Sequence, residues 1–161
     1  KLRARIKCDN IADAPGTLVA VAKNDGKVVA RHQIETTGEA VGLKLVPDME
    51  TWHADGKDLM HVRIYAVDKK GRRVLNMKDA KAFDKLTFQV KGDANIVAVD
   101  NGNIASDELH IGKTQLEKII QRNLFQGSAL VILRAGDKPG KIELSVAGEK
   151  MKAKKLVLNT K

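Results

Sequence analysis

The chain is predicted to be all-β: an immunoglobulin-like β-sandwich of about seven strands, preceded by a partial β-sandwich segment and carrying one short inserted helix. Three observations predict it. Apolar residues recur at every second position in one segment after another, the period of a half-buried strand. Clusters of Asp, Asn, Gly and Pro punctuate those segments at roughly 8–12 residues or a little more, the spacing of an immunoglobulin-type sandwich. No strand–helix–strand rhythm runs through the 161 residues, which excludes a nucleotide-binding parallel sheet.

Lys1-Leu2-Arg3-Ala4-Arg5-Ile6-Lys7-Cys8 alternates strictly and reads as the first strand. A turn at Ala14-Pro15-Gly16 leads into a second strand, Thr17 to Ala22. Asn24-Asp25-Gly26-Lys27 is a hairpin signal, because Asp-Gly suits the positive φ values of a tight turn, and Lys27 to Thr36 is the return strand. Three strands bury too little to stand alone. Residues 1–39 therefore read as the C-terminal strands of a preceding sandwich, with Thr37-Gly38-Glu39 as linker, and residues 40–161 as the complete domain.

In that domain Val41 to Val46 is a strand stopped by Pro47-Asp48. Thr51 to Gly71 holds a turn at Ala54-Asp55-Gly56-Lys57, a strand from Leu59 to Val67 with Met60, Val62, Ile64 and Ala66 on one face, and a turn at Asp68-Lys69-Lys70-Gly71. Met77 to Asp84 is a polar connection. Leu86, Phe88 and Val90 alternate on the next strand, and Gly92-Asp93 turns the chain into Asn95 to Val99. Ala129 to Leu133 is a continuous apolar run that suits a central strand buried on both sides. Lys141 to Val146 and Ala153 to Leu158 complete the set. In the long connection before Ser128, Thr114 and Glu117 fit a capping box, and Leu116, Ile119, Ile120 and Leu124 follow at helical spacing. Thr114 to Asn123 is accordingly expected to be a short helix that caps one open end of the sandwich or serves a function of its own.

Hydrophobic residues make up 43% of the chain and aromatics 3%, so the core is built from Val, Ile, Leu and Ala. No apolar run approaches the roughly 20 residues of a membrane-spanning helix. The chain opens at Lys1, with no initiator Met and no apolar signal core, and reads as an excised or processed piece. The net charge of +9 is spread along strands between apolar residues, as at Arg3, Arg5 and Lys7, which is how solvent faces are written. Interleaved aromatics are lacking, so nucleic acid is not an expected partner. The densest cluster, Lys150, Lys152, Lys154 and Lys155, lies near the C-terminus, and lysines on a terminal strand discourage edge-to-edge pairing. The single cysteine, Cys8, falls in phase with Leu2, Ala4 and Ile6 and reads as a buried structural thiol.

Catalytic and metal signatures are missing. His32, His53, His61 and His110 are dispersed, and no metal site or cofactor is expected. Asp100-Asn101-Gly102-Asn103 has part of a calcium loop but not its ligand spacing, and reads as a plain loop. Asp55 with Asp58, and Asp107 with Glu108, sit in turns with nothing to raise one pKa as glycoside chemistry requires. No catalytic residue is assigned. Trp52, in a loop, and Tyr65, on the strand face opposite Met60, Val62 and Ile64, are the candidates for a ligand or interdomain contact; a Trp packed over the end of the sandwich is the plainer reading of the first.

Several stretches resemble a known family. Val41-Gly42-Leu43-Lys44-Leu45-Val46-Pro47-Asp48, Ala54-Asp55-Gly56-Lys57-Asp58-Leu59 and Val67-Asp68-Lys69-Lys70-Gly71 resemble the opening of the C-terminal immunoglobulin-like domain of bacterial β-galactosidases of glycoside hydrolase family 2. So do Val97-Ala98-Val99-Asp100-Asn101-Gly102, Ser106-Asp107-Glu108, the run from Phe125 to Arg134, and Pro139-Gly140-Lys141-Ile142. Upstream, Ala14 to Ala22 with Gly26 to Ala30 is similar to the end of the preceding sandwich in those enzymes. Thr114 to Arg122 departs from the pattern. The resemblance implies a retaining glycosidase of the periplasm or cell envelope whose two catalytic glutamates lie in a TIM barrel absent from this chain. The partners it implies are the remaining domains of that enzyme, with a possible carbohydrate contact. A carbohydrate-binding module and a bacterial surface adhesin repeat share the sandwich, and fold alone does not separate the three.

Overall fold

The computed structural model describes residues 7, 14–75, 85–111, 117–149 and 151–161. The chain divides into two compact units, Lys1–Thr36 and Thr37–Lys161. The linker expected at Thr37-Gly38-Glu39 falls at the start of the second unit. The strand expected over Lys1–Cys8 and the connection expected over Met77–Asp84 lie outside the described residues, apart from an exposed Lys7.

In the first unit β1 (Thr17–Asn24) and β2 (Lys27–Glu35) form an antiparallel hairpin. Asp25 and Gly26 take φ values of 46° and 78°, the turn that the Asp-Gly pair suits. Leu18 and its cross-strand partner Ile34 are exposed on one face of this hairpin.

The second unit is built from β3 (Gly42–Pro47), β4 (Leu59–Val67), β5 (Lys85–Lys91), β6 (Ala94–Asp100), β7 (Ile119–Asn123), β8 (Ser128–Ala135), β9 (Gly140–Ala147) and β10 (Lys154–Thr160). They form two four-stranded antiparallel sheets, ordered β3-β4-β8-β6 and β10-β9-β5-β7. Set β7 aside, and the seven strands read from the sequence fall into the ABED and GFC sheets of an immunoglobulin sandwich. Met60, Val62, Ile64 and Ala66 of β4 and Ala129, Val131, Leu133 and Ala135 of β8 point inward. They meet Leu86, Phe88 and Val90 of β5 and Ile142, Leu144 and Val146 of β9, a single hydrophobic core. β10 is an edge strand with Lys154 and Lys155 exposed, as the charge pattern anticipated.

The expected helix is corrected. Residues 112–116 lie outside the described ones, and Ile119–Asn123 is a strand, paired with β5 from Gln89↔Ile119 to Lys85↔Asn123. The helical spacing counted Ile119 and Ile120 on one face, but the alternation places Ile120 and Arg122 inward and Ile119 and Gln121 outward. Arg122 breaks an apolar pattern while occupying a core position. The open edge of β5 supplies pairing that outweighs local propensity. Carbonyls of Glu117 and Lys118 accept from Ile96 N and Val90 N, which seats the approach to β7 against β5 and β6.

Candidate functional site

Trp52 follows the turn after β3 and is fully buried in the core between the sheets. Its backbone bridges Thr160, its carbonyl accepts from Lys161 N at 2.9 Å, and its indole Nε1 donates to Asp58 O at 3.1 Å. The indole thus closes one end of the sandwich and, seated so, offers no face to a ligand. Asp55 and Asp58 hold that corner as turn formers. Asp55 Oδ1 accepts from Asp58 N and Lys57 N, and Asp58 accepts from His53 N and His53 Nδ1. Those donors lower both carboxyl pKa values, Asp58 N acting most on Asp55 and His53 N most on Asp58.

Tyr65 lies on the outer face of β4, half-buried. The Arg73 guanidinium sits 4.5 Å from its ring centroid, a cation–π pair. The pair stands near a carboxylate clasp at the end of β4. The buried Asp68 accepts from Arg72 Nε, from Arg72 N and Lys70 N, and from Gly38 N, while Arg72 Nη2 approaches to 2.7 Å. The Arg72 guanidinium, with the backbone N–H groups behind it, holds Asp68 far below the usual carboxylate range.

A second cluster ties the loop after β6 to β7. Fully buried Arg122 donates from Nη1 to Glu108 O at 2.6 Å and from Nη2 to Asn101 Oδ1 at 3.2 Å. Its Nε lies 3.5 Å from Glu108 Oε2, an ionic contact without hydrogen-bond geometry. Asn101 Nδ2 donates to Asn123 O, and Asn123 N donates to Glu108 Oε1. Burial raises the Asp100 carboxyl, but the Gly102 and Asn101 N–H groups and the charges of His110 and Arg122 outweigh it and leave the pKa lowered. So the Asp100-Asn101-Gly102-Asn103 stretch is a loop pinned to an arginine. Beside it runs a shallow groove of ≈ 380 Å³, with Lys85, Glu108, Leu109, Ile111, Glu117, Ile119, Ile120 and Gln121 along it.

Chemically these clusters clasp the fold. A glycosidase acid needs a carboxyl whose pKa is raised so that it carries a proton at neutral pH. Every carboxylate shift resolved among the described residues is downward, at Asp55, Asp58, Asp68, Asp100 and Glu143. No group of three His, Cys, Asp or Glu among the described residues could hold a metal ion, and no helix among them is long and apolar enough to cross a membrane. Sequence reasoning singled out Tyr65 but missed its Arg73 partner and the buried Arg122. Neither carries a motif: Arg73 reaches Tyr65 through the turn after β4, where it bridges Val67, and the role of Arg122 depends on a loop distant in sequence.

Comparison with known proteins places the chain. Residues 43–157 match the family model for the glycoside hydrolase family 2 C-terminal domain 5. The chain is similar to Beta-galactosidase BoGH2A of Bacteroides ovatus, 36% identical over 135 residues that make up 84% of this chain and 14% of that protein. It is also similar to a beta-glucuronidase of Formosa agariphila, 38% identical over 69 residues, 42% of this chain and 7% of that protein. A solved glycosyl hydrolase family 2 member from Bacteroides cellulosilyticus matches with a TM-score of 0.77 and 27% identity, covering 94% of this chain and 18% of that one. The chain thus spans less than a fifth of the length of each of these relatives. Sandwich, matched span and relatives agree, and the chain belongs to the C-terminal domain 5 family of glycoside hydrolase family 2.

Proposed function

We propose that this chain is the non-catalytic C-terminal sandwich of a retaining glycosidase that acts on β-galactosides, supporting or spacing a catalytic barrel carried elsewhere in the same polypeptide. The observation that carries the reading is the 36% identity to Beta-galactosidase BoGH2A along 84% of this chain, in a piece that amounts to 14% of that protein. Carboxylates committed to clasping turns and loops, with pKa values pushed down, support a scaffold in place of a reaction centre. The partners are the remaining domains of the enzyme, and Tyr65 with Arg73 is the surface pair that meets them. The parent enzyme works in the periplasm or cell envelope, as the family resemblance implies, and cell fractionation checks that directly.

The deciding experiment measures turnover of chromogenic β-galactosides and β-glucuronides by the isolated chain and by the intact enzyme. The expected result is no turnover by the chain and β-galactoside turnover by the enzyme. Turnover by the isolated chain contradicts the non-catalytic role, and a preference for β-glucuronides contradicts the substrate.

A further inference from the structure

We infer that the outer face of the β3-β4-β8-β6 sheet is the docking surface through which this domain seats on the rest of its enzyme, and that the surface it meets is apolar at the centre and acidic around it. An antiparallel sandwich strand ordinarily alternates, with apolar residues inward and polar ones outward. The central strand β8 does not. Ala129, Val131 and Leu133 fill the core, yet Leu130 and Ile132 stand on the opposite face, half-buried, and neither sheet of this unit packs over them. Pairing registers set Arg63 across from Leu130, His61 across from Ile132, and Val46 across from Arg63. Tyr65, under the Arg73 guanidinium, and Arg134 complete the patch.

That composition is the one found at the centre of protein interfaces. Tyr and Arg are enriched there, acidic side chains are depleted, and each arginine stem adds apolar cover beneath a charged head. Neither β4 nor β8 contains an Asp or Glu. Among the described residues Lys44, Arg63, Arg73 and Arg134 form no ion pair with a carboxylate. The carboxylates of this face stand at its margin, Asp100 of β6 across from Leu130 and Asp48 paired to His61, so the four cations keep no counter-charge and complement an acidic partner. The other sheet differs at its centre, while its edge strands expose Ile119 and Val157. Its central strands β5 and β9 present Thr87, Gln89, Glu143 and Ser145, with Lys91 paired to Glu143 and no large apolar side chain. The occupant is the remainder of the same enzyme. More than four-fifths of each of the relatives described above lies outside the span that this chain matches. The inference rests on the glycosidase reading above and adds to it which face is used.

Thiol accessibility tests the assignment. Arg63→Cys on this face and Lys91→Cys on the opposite face are each placed in a Cys8→Ser background, in the isolated chain and in the intact enzyme, and maleimide labelling is followed at the introduced site by mass spectrometry. The expected result is similar rates for both sites in the isolated chain. In the intact enzyme Arg63→Cys slows at least tenfold and Lys91→Cys is unchanged. Lys44→Cys, on the neighbouring strand of the same face, repeats the readout should Arg63→Cys disturb folding. Equal labelling of both sites in an intact enzyme that still hydrolyses β-galactosides overturns the docking face and leaves the glycosidase reading standing. Slow labelling of Arg63→Cys already in the isolated chain also overturns it: dependence on protein concentration identifies a second copy as the occupant, and independence identifies the chain's own residues. Protection in the isolated chain only on adding a galactose oligosaccharide assigns the face to carbohydrate and overturns it as well. An intact protein without glycosidase activity removes the underlying reading, and this occupant with it.

Discussion

The two sheets of the sandwich match on their inner faces and differ on their outer ones. Inside, β4 and β8 meet β5 and β9 through fully buried Val, Ile, Leu, Met and Phe side chains, and either set could serve the other. Outside, β4 and β8 carry Arg63, Tyr65, Leu130 and Ile132, whereas β5 and β9 carry Thr87, Gln89, Glu143 and Ser145. Stability requires only the inner match. The outer difference contributes little to folding a single domain, so it marks the side that has something to meet.

The largest expected effects strike the shared interior. Trp52→Ala removes the indole that closes the sandwich, and Arg122→Ala strands Asn101 and the Glu108 carbonyl in a buried site. Each is expected to cost about 3–5 kcal/mol in urea unfolding of the chain. A loss below ~1 kcal/mol at Arg122 would show that the loop is held by other contacts. Next comes Gly127, in the turn that delivers β8. It sits at φ 64°, and a Cβ there would fall 1.8 Å from Val74 O. Gly127→Ala is expected to cost at least ~2 kcal/mol by the same measurement.

The outer comparison is sharpened by smaller changes made in two settings. Leu130→Ala and Ile132→Ala each remove half-buried apolar surface and are expected to cost about 1 kcal/mol in the isolated chain. In the intact enzyme each is expected to lower the unfolding temperature further, while Thr87→Ala behaves alike in both settings. Equal costs for Leu130→Ala in chain and enzyme would erase the distinction between the faces.

Asp68 gives a pH signature. Its pKa is held below the ordinary 3.8 in the fold, so its stabilising contribution is fully present above about pH 4. That contribution is lost as the pH falls from there toward the folded value. The unfolding temperature is expected to drop more steeply below pH 4 in the wild-type chain than in Asp68→Asn, and parallel curves would refute the clasp. Smallest of all is Glu143→Gln on the solvent face. Its exposed partner Lys155 lowers the Glu143 pKa, yet the unfolding midpoint is expected to stay within experimental error.

Seven immunoglobulin strands were legible because each has one apolar face, and period-two alternation survives in the bare sequence. β7 was not, because its core-facing positions are Ile120 and Arg122. A guanidinium in the core reads as surface until Asn101 and Glu108, up to 21 residues away, are seen to surround it. The continuous run from Ala129 to Leu133 was correctly read as a central strand. Its expected burial on both sides holds fully for one face and only in part for the other. The turn at Asp68 carried a family signature, whereas its clasp on Gly38, 30 residues earlier, depends on strand pairing that no local pattern encodes. Tyr65 could be placed on the outward face by alternation alone. Its strand partners Lys44 and Ser128 come from β3 and β8, both distant in sequence, and Arg73 is brought over its ring by the turn after β4.

Hydroxyl-radical footprinting of the isolated chain and the intact enzyme, side by side, tests the central claim across both faces at once. Tyr65, Leu130 and Ile132 are predicted to be modified more slowly in the enzyme than in the chain, while the exposed Val157, on the outer face of the other sheet, keeps the same rate in both. Unchanged rates at all four residues, or protection confined to Val157, would contradict it.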